Sequence, residues 1–270
     1  MIQAAMAEGL EVTADQYPYT AMQHPWHRLM PRWIQDAPRA ETIPQFGDRG
    51  FRDRIKGDDE FRRYIHEHGG WEGIVMSVVA NEALKPDEGK TVAEIAKQRG
   101  SADPAETCFD LIQENGAFPG GVYHTMSEED VKTVMQRPWV SVASDGSALN
   151  GSASGLPHPR SFGTNVRVLE KYVREEGVLQ LEEAIRKMTS LPAQVLRLQD
   201  RGLLREGCHA DIVAFDPDRV AERGTFENPK QYCVGVEYVL VNGVPVIDGG
   251  EHTGARPGMV VYGPGYAPGR

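Results

Sequence analysis

Apolar residues in this chain fall into short runs bracketed by breakers. Between those runs lie longer stretches with helical periodicity and their own start and stop signals. The clearest run, residues 139–143, sits between Pro138 and Gly146. A short apolar run between breakers reads as a strand buried on both faces, as in a parallel sheet. Periodicity alone does not separate it from a buried helical turn, but its length and valines favour the strand. Residues 74–79 form a second such run, and residues 10–15 predict a strand after a short N-terminal helix stopped by Gly9. Pro18 prevents that strand from continuing. Residues 22–50, rich in Pro, Arg and Trp, read as an extended loop with a helical turn, and residues 58–68 as a charged helix ended by Gly69 and Gly70.

Three helices carry explicit caps. Thr91 and Glu94 form a capping box for a helix running to Gly100; Asp103, Pro104 and Glu106 open another that ends at Gly116; Ser127 and Asp130 open a third. Val131, Val134 and Met135 share one face of that third helix, which stops before Pro138 and leads straight into the 139–143 strand. A Gly/Ser-rich loop spans 146–155, followed by helices near 164–176 and 179–198, the latter interrupted near Pro192. Beyond residue 199 the pattern changes to short strands. Asn242-Gly243 between residues 237–241 and 244–247 is a strong two-residue hairpin signal, with Pro245 placing its strand at an edge or a bulge. The chain is therefore expected to be α/β, with a first part over 1–198 and a small β part over 199–270.

Composition narrows the class. Of 270 residues, 40% are hydrophobic and 25% charged, ordinary for a globular protein. A net charge of −10 argues against nucleic acid and anionic membrane as partners. The three cysteines, Cys108, Cys208 and Cys233, are far apart, so a reducing cytoplasm is the expected compartment. The first nine residues lack the basic start of a signal peptide, and no apolar stretch reaches the length of a membrane span. No phosphate-binding glycine loop or serine nucleophile elbow is present, and residues 263–269 read as a flexible tail.

The candidate chemistry begins at Asp145, where the 139–143 strand emerges, since α/β barrels place reacting side chains at the C-terminal ends of strands. Ser144-Asp145-Gly146 is equally an ordinary turn signal. Tyr17 and Tyr19 leave the earlier strand, placed either to bond a ligand or to pack. Three stretches then resemble one family. Arg201, Gly202, Gly207, the Ala210-to-Phe215 run and Asn242-Gly243 resemble the C-terminal β-sandwich of the amidohydrolase superfamily. Residues 12–21, containing Tyr17-Pro18-Tyr19, together with Ser144-Asp145-Gly146 and His158-Pro159-Arg160, are similar to N-acyl-D-amino-acid deacylases.

That resemblance implies metal-dependent hydrolysis of the amide of N-acyl-D-amino acids on a (β/α)8 barrel, with a lid over about 22–138 and a β-sandwich over 199–270. It implies zinc as cofactor, Asp145 as the acid/base, Arg160 as the grip on the substrate carboxylate, and Tyr17 in the pocket. Zinc lowers the pKa of bound water so that a carboxylate shuttles its proton, and a guanidinium fork matches a carboxylate as a lysine does not. Arg160 reads alternatively as a salt-bridge partner capping the next helix. Where the family carries small hydroxyl residues, this chain has Met22-Gln23-His24, which leaves substrate preference open. A hydantoinase- or dihydroorotase-like cyclic amide hydrolase is the competing enzyme reading.

The family's metal ligands lie earlier than the part this chain resembles. The chain is therefore expected to be the C-terminal half of a deacylase, working with the missing half or existing as a truncated, non-catalytic product. Local substitutes are weak. His66 and His68 share a helix on which residues two apart diverge. His24 and His27 flank a loop that could line the pocket, His124, His209 and His252 are isolated, and His158 is placed to position Arg160. No metal ligands are assigned within this chain.

Overall fold

The computed structural model describes residues 1–266, so the last part of the expected tail lies outside the described residues. Its strands are β1 (Ala14–Gln16), β2 (Met22–Pro25), β3 (Ile74–Val78), β4 (Gly120–Tyr123), β5 (Val140–Val142), β6 (Ile212–Phe215), β7 (Val236–Val241), β8 (Val244–Asp248) and β9 (Glu251–His252). They form three sheets: a parallel β1–β5 pair, an antiparallel β2–β4–β3 sheet and an antiparallel β6–β7–β8–β9 sheet.

The β1–β5 pair positions the site. Ala14 stands opposite Val140 and Gln16 opposite Val142, and the Ala143 N–H donates to the Gln16 carbonyl at 2.9 Å just past the ladder. The pairing covers residues 140–142 of the second expected strand but only 14 and 15 of the first, extending one residue past it to Gln16; residues 10–13 stay outside it, and Leu10 is exposed. Helix Glu128–Met135 runs into β5 and presents the Val131 carbonyl to Gln16 Nε2 at 3.0 Å. Beneath β5, the fully buried Lys187 of helix Leu181–Met188 donates from Nζ to the carbonyls of Arg137, at 2.5 Å, and Val140, at 2.9 Å.

Residues between β1 and β5 enclose a core of their own. Here the expected extended loop over 22–50 is corrected: it folds as β2, helical turns at Trp26–Leu29 and Ile43–Gly47, short helices Arg32–Gln35 and Arg39–Thr42, and the start of helix Arg49–Lys56. Pro25, Pro31 and Pro38 each stand at the N-cap of the segment that follows, and Pro44 lies within the first turn of another. Proline's fixed φ suits helix starts, and segments this short show no period. Trp26, Leu29, Met30, Ile34 and Phe46 are fully buried against Phe61, Ile74, Met76 and Phe109.

The capped helices form as their signals require. Thr91 and Glu94 close a complete capping box on helix Val92–Gln98, and helix Pro104–Asn115 ends at Gly116 with φ +64°. One helix start differs from expectation, and the expected interruption near Pro192 falls at Thr189. The helix expected from 164 begins at Arg160 and continues as π-helical turns over Val168–Glu175. The helix expected over 179–198 divides into Leu181–Met188 and Ser190–Val195, broken at Thr189 (φ −131°, ψ −84°). In the last sheet, Asn242 and Gly243 both take positive φ, the two-residue hairpin geometry that matches strand twist. The β7–β8 register shifts between Val239 and Leu240, opposite Pro245. A second core gathers Val142, Val168, Leu169 and Tyr172 with Val220. Among the described residues, no helix is long and apolar enough to cross a membrane.

Candidate functional site

Three side chains nominated from the sequence meet where β1 and β5 end. Tyr17 follows β1 directly, and Asp145 lies three residues beyond β5. Arg160 opens helix Arg160–Arg167 and reaches back so that its Nη2 lies 2.9 Å from Asp145 Oδ2. Its guanidinium sits 5.0 Å from the Tyr17 ring centroid, within cation–π range. Asp145 takes φ +45°, a left-handed conformation that aspartate tolerates better than most residues. Gly146 then runs against the helix start. A Cβ there would lie 3.0 Å from the Ser161 Cα and 3.1 Å from the Arg160 carbonyl.

Burial divides the trio. The Arg160 side chain is 11% exposed and that of Asp145 67%, so the guanidinium is held while the carboxylate faces solvent. Burial raises the Tyr17 phenol above its ordinary pKa, with the Arg160 charge opposing, so it remains a donor at neutral pH. Tyr17, Tyr19, Ala143 and Asp145 border a cavity of about 510 Å³ that extends to Met126 and Val131.

His158 holds the start of the arginine helix. The Arg160 backbone N–H donates to His158 Nδ1 at 3.0 Å, leaving the ring proton on Nε2, which donates to the Ala21 carbonyl at 2.9 Å. The ring is 1% exposed, and burial pushes its pKa down to about 3, so it stays neutral. Gln23 fixes the same residue from β2: its Oε1 accepts the His158 backbone N–H at 2.9 Å.

Residues without a sequence signal complete the surround. Tyr19 Oη donates to Glu222 Oε1 at 2.5 Å, and Arg167 Nη1 donates to Glu222 Oε2 at 2.9 Å. Arg167 also donates from Nε to the Pro18 carbonyl at 2.7 Å, which ties the loop after β1 to the region beyond residue 199. Phe226 packs edge-on against His158 and His124, with centroids 5.0 and 4.7 Å apart. Glu222 and Phe226 lie outside every motif and become visible only through these contacts.

The remaining histidines fall elsewhere. His24 faces away from Asp145, because Gln23 beside it points toward His158 and successive strand residues alternate faces. Instead, its ring meets His68 and stacks on Tyr123. Burial lowers its pKa to about 4. His27 packs on Phe118 with its Nε2 buried and unpaired. His209 pairs with Asp200, and His252 caps the Gly254 N–H. Among the described residues, no group of three or more His, Cys, Asp or Glu side chains converges as a metal site, so the zinc expected from the resemblance finds no fitting donor set around Asp145.

Known proteins resemble this chain in sequence and fold. The N-acyl-D-aspartate deacylase of Alcaligenes xylosoxydans is 46% identical over 143 residues, 53% of this chain and 28% of the relative. A solved N-acyl-D-glutamate deacylase from Bordetella bronchiseptica, complexed with zinc and a phosphonate inhibitor, superposes with a TM-score of 0.66 at 33% identity. The superposition covers 91% of this chain and 41% of that one. A dihydroorotase from Endomicrobium trichonymphae matches over only 55 residues, 20% of this chain and 13% of its own length, at 42% identity. The chain thus spans less than half the length of each of these proteins. The family model described as Amidohydrolase family matches residues 45–247, and this chain belongs to that family.

Proposed function

We propose that this chain carries part of the active site of an N-acyl-D-amino-acid deacylase, which cleaves a linear amide to a carboxylic acid and a free amino acid. The observation that carries the reading is the meeting of Asp145, Arg160 and Tyr17 at the ends of two adjacent parallel strands. In this reading β1 and β5 are neighbouring strands of a (β/α)8 barrel, residues 22–138 form a lid, and residues 199–270 a β-sandwich domain.

Arg160 holds the substrate carboxylate. Its guanidinium is fixed by packing and by His158 beneath its backbone, and the planar fork accepts a carboxylate on two N–H groups. In the free protein Asp145 occupies that fork, so a bound substrate competes with an internal carboxylate. Released from it, Asp145 accepts a proton from the attacking water as its oxygen adds to the acyl carbon. Asp145 then returns that proton to the amine nitrogen as the C–N bond breaks. Tyr17 borders the cavity as a neutral hydrogen-bond donor. The Bordetella relative is complexed with zinc. Among the described residues, no three or more His, Cys, Asp or Glu side chains converge around Asp145 to hold that ion.

The test is turnover of N-acetyl-D-aspartate and N-acetyl-D-glutamate beside hydantoins. Hydrolysis of the acyl amino acids supports the proposal, and turnover of only cyclic substrates rejects it. Asp145→Asn is expected to lower kcat by roughly 10²–10⁴-fold, the range for loss of a general acid–base. Arg160→Lys is expected mainly to raise KM, and unchanged kinetics in either variant removes that residue from its role.

A further inference from the structure

A second place in the molecule has the geometry of a ligand set and no part in the deacylase reading. On the face of β2 opposite Gln23, His24 Nε2 lies 3.1 Å from Nε2 of His68, at the C-terminus of helix Asp59–Glu67. Each ring's other nitrogen is already committed. His24 Nδ1 lies 3.1 Å from the Pro25 carbonyl, and His68 Nδ1 lies 2.6 Å from the Tyr64 carbonyl. A carbonyl oxygen only accepts, so both rings carry their proton on Nδ1. The two Nε2 lone pairs are thereby aimed at each other. Three contacts in a row each need a positive centre, and two neutral imidazoles supply two protons.

We infer that His24 and His68 form a binding site for a divalent transition-metal ion of the zinc, copper or nickel class, with both Nε2 atoms as ligands. Two Zn–N bonds of 2.0–2.1 Å at a tetrahedral angle place their nitrogens about 3.3 Å apart, close to the spacing found here. An Nδ1–H bonded to a backbone carbonyl is the usual outer-shell partner of a ligating histidine, fixing tautomer and ring plane.

The rings are preorganised. Tyr123, fully buried, stacks on His24 with centroids 4.2 Å apart and meets His68 edge-on at 4.7 Å. The turn after His68 is pinned by close backbone packing, since a Cβ on Gly73 would lie 2.3 Å from the His68 carbonyl. Both histidines are half-buried, which leaves a solvent side where water completes the coordination. The alternative occupant of the gap is a third proton, which would make one ring an imidazolium hydrogen-bonded to the other.

The test is calorimetric titration of the full 270-residue chain with Zn²⁺, repeated with His24→Asn, His68→Asn and His66→Ala. One ion per chain is expected, with affinity reduced at least tenfold in either of the first two, since loss of a mere outer-shell partner already costs about 10–100-fold. His66→Ala leaves affinity unchanged, because His66 is exposed and points away from the pair. Electron paramagnetic resonance of the Cu²⁺-loaded wild-type chain should show two imidazole nitrogens on the ion, which decides the matter even where an asparagine variant fails to fold. No saturable binding, equal affinity in His68→Asn, fewer than two nitrogens, or a proton that NMR finds between the rings and Zn²⁺ does not displace would overturn the site.

Discussion

Two regions of this chain spend similar strands very differently. β3 and β4, between β1 and β5, lie in a sheet packed against helices, and Ile74, Met76 and Tyr123 are fully buried there. β7 is richer in apolar residues than β4, yet Tyr238 is 47% exposed, and Val213 of neighbouring β6 is 56% exposed. Burial follows from what covers a strand rather than from its own apolarity. Helix Pro104–Asn115 brings Phe109 onto Phe46 and Phe61, while β6 and β7 send only a few residues, such as Phe215 and Val236, toward the second core.

The contrast is sharpest at Phe109. Phe109→Ala empties a fully buried aromatic site and is expected to cost about 3–5 kcal/mol in urea unfolding. A cost below about 1 kcal/mol would mean that this core does not hold the region together. Next comes the link between the loop after β1 and the region beyond residue 199. Tyr19→Phe removes the bond to Glu222, whose loss should cost about 1.5–3 kcal/mol, as hydrogen bonds to charged groups do. Arg167 remains on that carboxylate, so the lower half of the range is expected.

A pH effect ranks third. His158 titrates near 3 in the folded state, below the ordinary histidine value, so below about pH 6.5 the unfolded chain binds the extra proton. Stability is therefore present above that value and lost as pH falls toward 3, on the order of 2 kcal/mol between pH 7 and 5 from this group. His24 adds to the loss in the same direction. Denaturation at the two pH values should show a smaller difference in His158→Asn, and an unchanged difference would remove His158 as its source. The smallest effect is expected in the open sheet: Val213→Ala should stay within about 0.5 kcal/mol. A large loss there would abolish the contrast between the regions.

Much of the local structure was legible in the sequence because its signals are short-range. The capping box at Thr91, the proline start at residue 104, the Asn242-Gly243 hairpin and the strand leading to Asp145 each depend on a few neighbouring residues. The 22–50 segment is not legible locally, because its helices are too short to show a period and its prolines resemble breakers. Asp145 and Tyr17 stand out as strand exits as well as by motif likeness, and Arg160 by motif likeness, whereas Glu222 and Phe226 have no local signal and nothing local brings His24 to His68.

By itself, then, the sequence determined where the capped helices and the Asn242-Gly243 hairpin start and stop, since caps and turns act over a handful of residues. It also marked the strand exits where chemistry-bearing side chains would stand. Only the tertiary structure decided which exits meet, which strands are covered, and that His24 confronts His68 instead of facing Asp145. Those outcomes depend on contacts between residues as far apart as Tyr19 and Glu222, and a pairwise distance across 203 positions leaves no trace in local pattern.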